Sequence, residues 1–86
     1  MTYMSTVDIL LLKILNKKTC GKSIREIQNE LRTVNINLCQ RGIYQRLERM
    51  KERQLVARKW EKKTRLYAIL DAGKFKLVIF QEQLRA

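Results

Sequence analysis

Arg41, Tyr44 and Gln45 stand at i, i+3 and i+4, and Arg49 follows four residues after Gln45. Residues so spaced share one side of an α-helix. The chemistry they offer is recognition rather than reaction. A guanidinium fork matches the O6 and N7 acceptors of guanine, and a carboxamide matches N6 and N7 of adenine, both at base-pair edges in a major groove. A second group, Lys59, Lys62, Lys63 and Arg65, offers charges suited to phosphate. A charged helix face is most often only a solvated surface, so the surrounding residues must decide. Between 37 and 70 there are ten Lys and Arg against three Asp and Glu, whereas the stretch before holds six against three and the stretch after three against two. The net charge of +11 is therefore concentrated in the middle of the chain, and a surface that basic calls for a polyanion, nucleic acid first.

Other chemistries are poorly provided for. The chain has no His, and Cys20 and Cys39 alone cannot complete a four-ligand zinc site, so no metal is expected. In a reducing cytosol the two thiols are expected to be buried or half-buried, with a disulfide as the alternative. There is no Gly-rich phosphate loop, no Ser or Cys beside a base, and no pair of carboxylates in an apolar setting, so neither catalytic residues nor a cofactor is expected. The longest apolar run, Ile9 to Leu12, is far short of the ~20 residues that span a bilayer. No basic region precedes it and no small-residue cleavage site follows, which makes a cytosolic, cytoplasmic location the default.

The elements that would hold these residues follow from periodicity. Eighty-six residues, 45% hydrophobic and 31% charged, form one domain, 1–86, whose small core gains from burying further surface in a dimer. Val7, Leu10, Leu11, Ile14 and Leu15 make the stripe of a first helix capped by Ser5 with Asp8. Lys17 to Lys22, with Thr19 and Gly21, is a loop. Ser23 and Glu26 form a capping box that opens a second helix with Ile24, Ile27 and Leu31 inside, fading at Thr33 to Ile36. A third helix, about 38–53, starts at an Asn37 cap with Gln40 at the third position; stepping ~100° per residue puts Cys39, Ile43, Leu47 and Met50 on its buried seam. Arg41, Gln45, Glu48 and Glu52 lie opposite, flanked by Tyr44 and Arg49. Leu55 to Trp60 and Arg65 to Leu70 make a hairpin pairing Trp60 with Arg65, Arg58 with Tyr67 and Val56 with Ile69, with Val56, Tyr67 and Ile69 facing the core.

Asp71 is expected to cap a last helix, about 72–84. Phe75, Val78 and Ile79 form one apolar stripe on it and Leu77, Phe80 and Leu84 another, while Ile9 and Leu12 lie off the stripe of the first helix. Such a surplus predicts a homodimer interface made of Ile9, Leu12, Leu77, Phe80 and Leu84.

Helix, helix, helix, two strands, helix is the winged helix-turn-helix plan, a mainly α fold with a small β-hairpin. Gly42-Ile43-Tyr44-Gln45-Arg46-Leu47-Glu48-Arg49-Met50, followed after three residues by Gln54-Leu55-Val56, resembles the Gly/Thr-Leu-Tyr-x-x-Leu-x-x-Leu … Gly-Leu-Val segment of PadR-like regulators. Arg65-Leu66-Tyr67-Ala68-Ile69-Leu70-Asp71-Ala72-Gly73-Lys74 is similar to the PadR and MarR stretch that runs from an aromatic strand through Leu-Thr-x-x-Gly-Arg into the last helix. The resemblance covers 37–80; Gln54 stands where the family has Gly, and Asp71 where it has Thr. It implies a double-stranded DNA-binding transcriptional regulator of the stripped-down kind found in archaeal viruses and plasmids, without the long dimerisation domain and with no placeable small-molecule effector site. The third helix then enters the major groove and the hairpin is the wing on phosphate or minor groove. Arg41, Tyr44, Gln45 and Arg49 read bases, with packing beneath the wing as the alternative for Tyr44. Lys59, Lys62, Lys63 and Arg65 hold the backbone, joined by Arg25 and Gln28 of the second helix, and Trp60 braces the wing against Arg65, with base stacking as the alternative. The rival functions are an RNA-binding winged helix and a protein-interaction adaptor.

Overall fold

The computed structural model describes residues 5–18 and 20–85, with side chains up to Phe80. Thr19 of the first loop and the side chain of Leu84 lie outside the described residues. The order is α1 (Thr6–Asn16), β1 (Lys22–Ser23), α2 (Ile24–Thr33), α3 (Gln40–Glu52), β2 (Val56–Glu61), β3 (Thr64–Ile69) and α4 (Asp71–Arg85). The hairpin keeps the expected register, Val56 opposite Ile69, Arg58 opposite Tyr67 and Trp60 opposite Arg65. β1 is a short strand where the residue pattern predicts a loop ending in a helix cap. It adds to the far side of β3, so that the antiparallel sheet runs β1-β3-β2. No helix among the described residues is long and apolar enough to cross a membrane.

The core lies where α1, α2, α3 and the inner face of the sheet meet. Leu11, Leu15, Ile27, Leu31, Ile43, Leu47 and Tyr67 are all fully buried in it. α1 begins at the Ser5 cap, whose hydroxyl accepts from the Asp8 N–H, and α2 begins at the Ser23–Glu26 capping box. α2 and α3 end in the same nested pair of hydrogen bonds. Ile36 N–H donates to the Leu31 carbonyl and Asn35 N–H to Arg32 after α2; Leu55 donates to Met50 and Gln54 to Lys51 after α3. Each turn needs one left-handed residue, and Asn35 (φ 62°) and Gln54 (φ 63°) supply it. The turn from α3 into the wing thus keeps its geometry without the glycine that the resemblance called for.

Four expectations are corrected. α3 is capped by Cys39, not Asn37: its Sγ accepts from the Gly42 N–H at 3.4 Å, which turns the thiol out of the seam into solvent. Both cysteines are free and exposed rather than buried. Asp71 is the first residue of α4 instead of its cap; its carboxylate in the first turn still suits the positive end of the helix dipole.

The fourth correction concerns the apolar stripes. Leu12 is fully buried and Leu77 is 3% exposed, both inside this chain's own core, so neither is free to form a dimer interface. Ile9 and Phe80 are half-buried against that core. It is Phe75, at 67%, and Val78, at 50%, that α4 turns to solvent. The stripes on α4 are exchanged because Gly73 seats the helix. A Cβ there would overlap the Leu55 carbonyl oxygen and lie 2.9 Å from Ile69 Cγ1. The Gly73 side is thereby the inner side, and Leu77, one turn on, follows it.

Candidate nucleic-acid interface

α3 is fixed on three sides. Toward α2, both ends of the Gln28 carboxamide are engaged: Nε2 donates to the Leu38 carbonyl at 3.0 Å and Oε1 accepts from Gln40 Nε2 at 3.4 Å. Gln28 is therefore a brace of the α2–α3 connection, not a side chain held out for phosphate. Toward α1, Arg46 Nη1 donates to Asp8 at 3.2 Å and to the Ser5 hydroxyl at 3.3 Å. Toward the wing, Glu48 accepts from the Tyr67 hydroxyl at 2.9 Å and from Arg58 at 3.5 Å, with Lys51 at 3.4 Å from the same carboxylate. The sequence placed Glu48 on the open face; the signal that could have found its partner is the buried Tyr67 on β3, whose hydroxyl needs an acceptor.

Partial burial raises the pKa of Glu48, but hydrogen bonds from Tyr67 and Lys51 and the charges of Lys51 and Arg58 outweigh it, leaving the carboxyl below its usual 4.5. Burial, then the hydrogen bond to Glu48, pushes Tyr67 above 10. A depressed carboxyl stabilises the fold above its unfolded pKa, and that contribution disappears as pH falls through the folded value. Glu48→Gln should therefore melt below wild type at about pH 7, and the gap should close below about pH 4.5 as wild type becomes protonated. Thermal melts of both proteins across that range check this; a gap independent of pH contradicts it. Glu30, lowered in the same direction by Lys22 and Lys17 against its own burial, is common to both proteins and cancels.

The hairpin turns through Lys62 and Lys63 alone, with Glu61 opposite Thr64. Lys62 has φ 57°, at the position where a tight hairpin turn commonly takes glycine. Arg58, Lys59, Trp60, Lys62 and Lys63 are exposed. Arg65 lies over two rings, 4.8 Å from the centroid of Tyr44 and 5.4 Å from that of Trp60. This joins the wing to the second turn of α3: half-buried Tyr44 packs against Arg65, and so does Trp60, opposite it on the wing. Between the start of α3 and the wing an open cleft of about 800 Å³ remains, and Arg41, Tyr44, Trp60, Lys63 and Arg65 line it.

Of the proposed readers, Arg41 and Gln45 are exposed on the early turns of α3. Arg49 is exposed too, but it lines a separate depression with Arg46 and Arg53 beside the start of α1. Arg25 is exposed in the first turn of α2. The structure thus brings Arg41, Tyr44, Lys63 and Arg65 together, places Arg49 on the opposite flank, and withdraws Gln28.

No protein-family model matches the chain, and no curated protein matches it. Solved structures do. A PadR-family transcription regulator from Clostridium difficile R20291 is 25% identical, with a TM-score of 0.85 over 94% of this chain and 88% of that one. A PadR-family transcriptional regulator from Eggerthella lenta DSM 2243 is 18% identical, with a TM-score of 0.75 over 88% and 71% of the two chains. BpsR of Bordetella bronchiseptica is 20% identical, with a TM-score of 0.71 over 95% of this chain and 58% of that one. The fold is that of a winged-helix PadR-like protein, with β2 and β3 as the wing.

Proposed function

We propose that this chain is a double-stranded DNA-binding transcription regulator that works as a homodimer, with α3 in the major groove and the wing on phosphate or minor groove. The observation that carries the reading is the joining of α3 and the wing into one basic face through Arg65, Tyr44 and Glu48. The PadR-like neighbours support it, and BpsR is a protein whose DNA binding is regulated by 6-hydroxynicotinic acid. Arg41 and Gln45 read bases; Arg49, about 40° further round the helix from Gln45 on the flank away from the wing, reads at the far edge of that groove. Tyr44 orients Arg65. Lys59, Lys62, Lys63 and Arg25 hold phosphates. An RNA partner fits less well, because the deep, narrow groove of A-form RNA excludes a helix. The homodimer is proposed through α4, whose exposed Phe75 and Val78 would otherwise face water.

The test starts by selecting a preferred site from random duplexes. Arg41→Ala and Gln45→Ala should each cost about 1–3 kcal/mol on that site and much less on random duplex, because a lost base contact matters only where the right base is present. Equal losses on both DNAs would mean that the two side chains touch only the backbone. Preference for RNA competitors over duplex would overturn the reading as a whole.

A further inference from the structure

Trp60 is the only tryptophan of the chain, and it is 61% exposed. A residue whose sole role is to brace the wing should be buried by what it braces. Arg65 is already held by Tyr44, at the shorter of its two ring distances. Trp60 and Tyr44 both line the cleft beside α3, with Arg41, Lys63 and Arg65 as its cations. No acidic side chain is among the described residues that line it. Aromatic faces next to unopposed cations suit a planar group that carries negative charge close by. A nucleotide out of its base stack has that chemistry, and a base stacks on an exposed ring whatever its identity. At about 800 Å³ the open cleft has room for a nucleotide and its flanking phosphates.

We infer that the cleft between α3 and the wing is a binding site for an unpaired nucleotide of a DNA strand, with the base on Trp60 and its phosphates on Arg41 and Lys63. The inference rests on the DNA-binding reading and adds a second mode to it. In a duplex the bases are unavailable for stacking and the same face meets groove and backbone; in a single strand, or where a duplex opens, the cleft takes a base.

Two ten-unit probes separate stacking from charge: a thymidine oligomer, and an abasic oligomer of the same length with the same phosphates and no bases. The thymidine oligomer should quench the fluorescence of Trp60 and bind at least about fivefold more tightly than the abasic one, the lower end of what one stacked base contributes. In Trp60→Leu, followed by anisotropy of labelled oligomers, the two probes should bind equally. Duplex binding by the same variant, measured alongside, reports whether the DNA-binding face is intact. Equal affinity of wild type for the two probes, or thymidine binding without quenching, overturns the inference while leaving duplex recognition standing. Loss of binding to duplex and single strands alike in the wild-type protein would instead remove the reading on which it rests.

Discussion

Replacing Gly73 with Ala is expected to lower the melting temperature by roughly 10–20 °C, the shift that about 2–3 kcal/mol produces in a domain of this size. The added methyl would overlap the Leu55 carbonyl oxygen and press on Ile69 Cγ1. That carbonyl cannot retreat freely, because it also accepts from the Leu70 N–H at 3.0 Å and so ties the end of the hairpin to the turn after α3. The same change at Gly42 acts in the opposite direction. Its nearest neighbour would be Cys39 Sγ at 3.6 Å, ordinary contact, and alanine removes the helix penalty of glycine, about 0.5–1 kcal/mol. A pair of thermal melts reads both. A Gly73→Ala protein as stable as wild type would mean that α4 is not seated where its contacts with Leu55 put it.

Phe75→Glu is expected to leave the fold intact and to convert a dimer into monomers. Phe75 is mostly in water within one chain, so the substitution removes little from the domain core. Across a twofold axis it would bring two unpaired carboxylates into an apolar contact, which costs several kcal/mol. Duplex affinity should then fall by about 10²-fold or more, because the second half-site no longer binds at the effective concentration set by the first. The salt dependence of binding should drop to about half, since each monomer displaces half the counterions. Sedimentation of wild type and variant at micromolar concentration is the check. A variant that still dimerises would mean that Phe75 and Val78 are covered by something else, or by nothing.

How far the sequence could be read depended on whether a signal was local. The capping box at Ser23, the hairpin register and the seam of Ile43, Leu47 and Met50 are encoded within a few residues, and the structure has all three. The wing joined to α3 was foreseen as far as Trp60 on Arg65, because directly opposed residues on paired strands must meet. What could not be read was set by packing between distant segments. Val78 and Leu77 are equally good core residues by type, and only the close approach of Gly73 to Leu55 decides which faces inward. The role of Glu48 depends on Tyr67, nineteen positions away, and that of Gln28 on Leu38 and Gln40 across a turn. Cys39 instead of Asn37 caps α3 because the chain stays extended two residues longer than the pattern implied, with φ −73° and ψ 159° at Cys39.

If a dimer of this chain grips duplex DNA through the basic face of α3 and the wing, its affinity must depend steeply on salt. A salt titration of duplex binding is the measurement. With ~3–5 phosphates neutralised per subunit, log K plotted against log salt should fall with a slope near −5 to −9. Lys62→Ala with Lys63→Ala should make that slope shallower by about 1 for each lysine in contact, while weakening all sequences alike. A slope near zero, or a slope unchanged by removing the wing lysines, would mean that this face does not hold duplex phosphates.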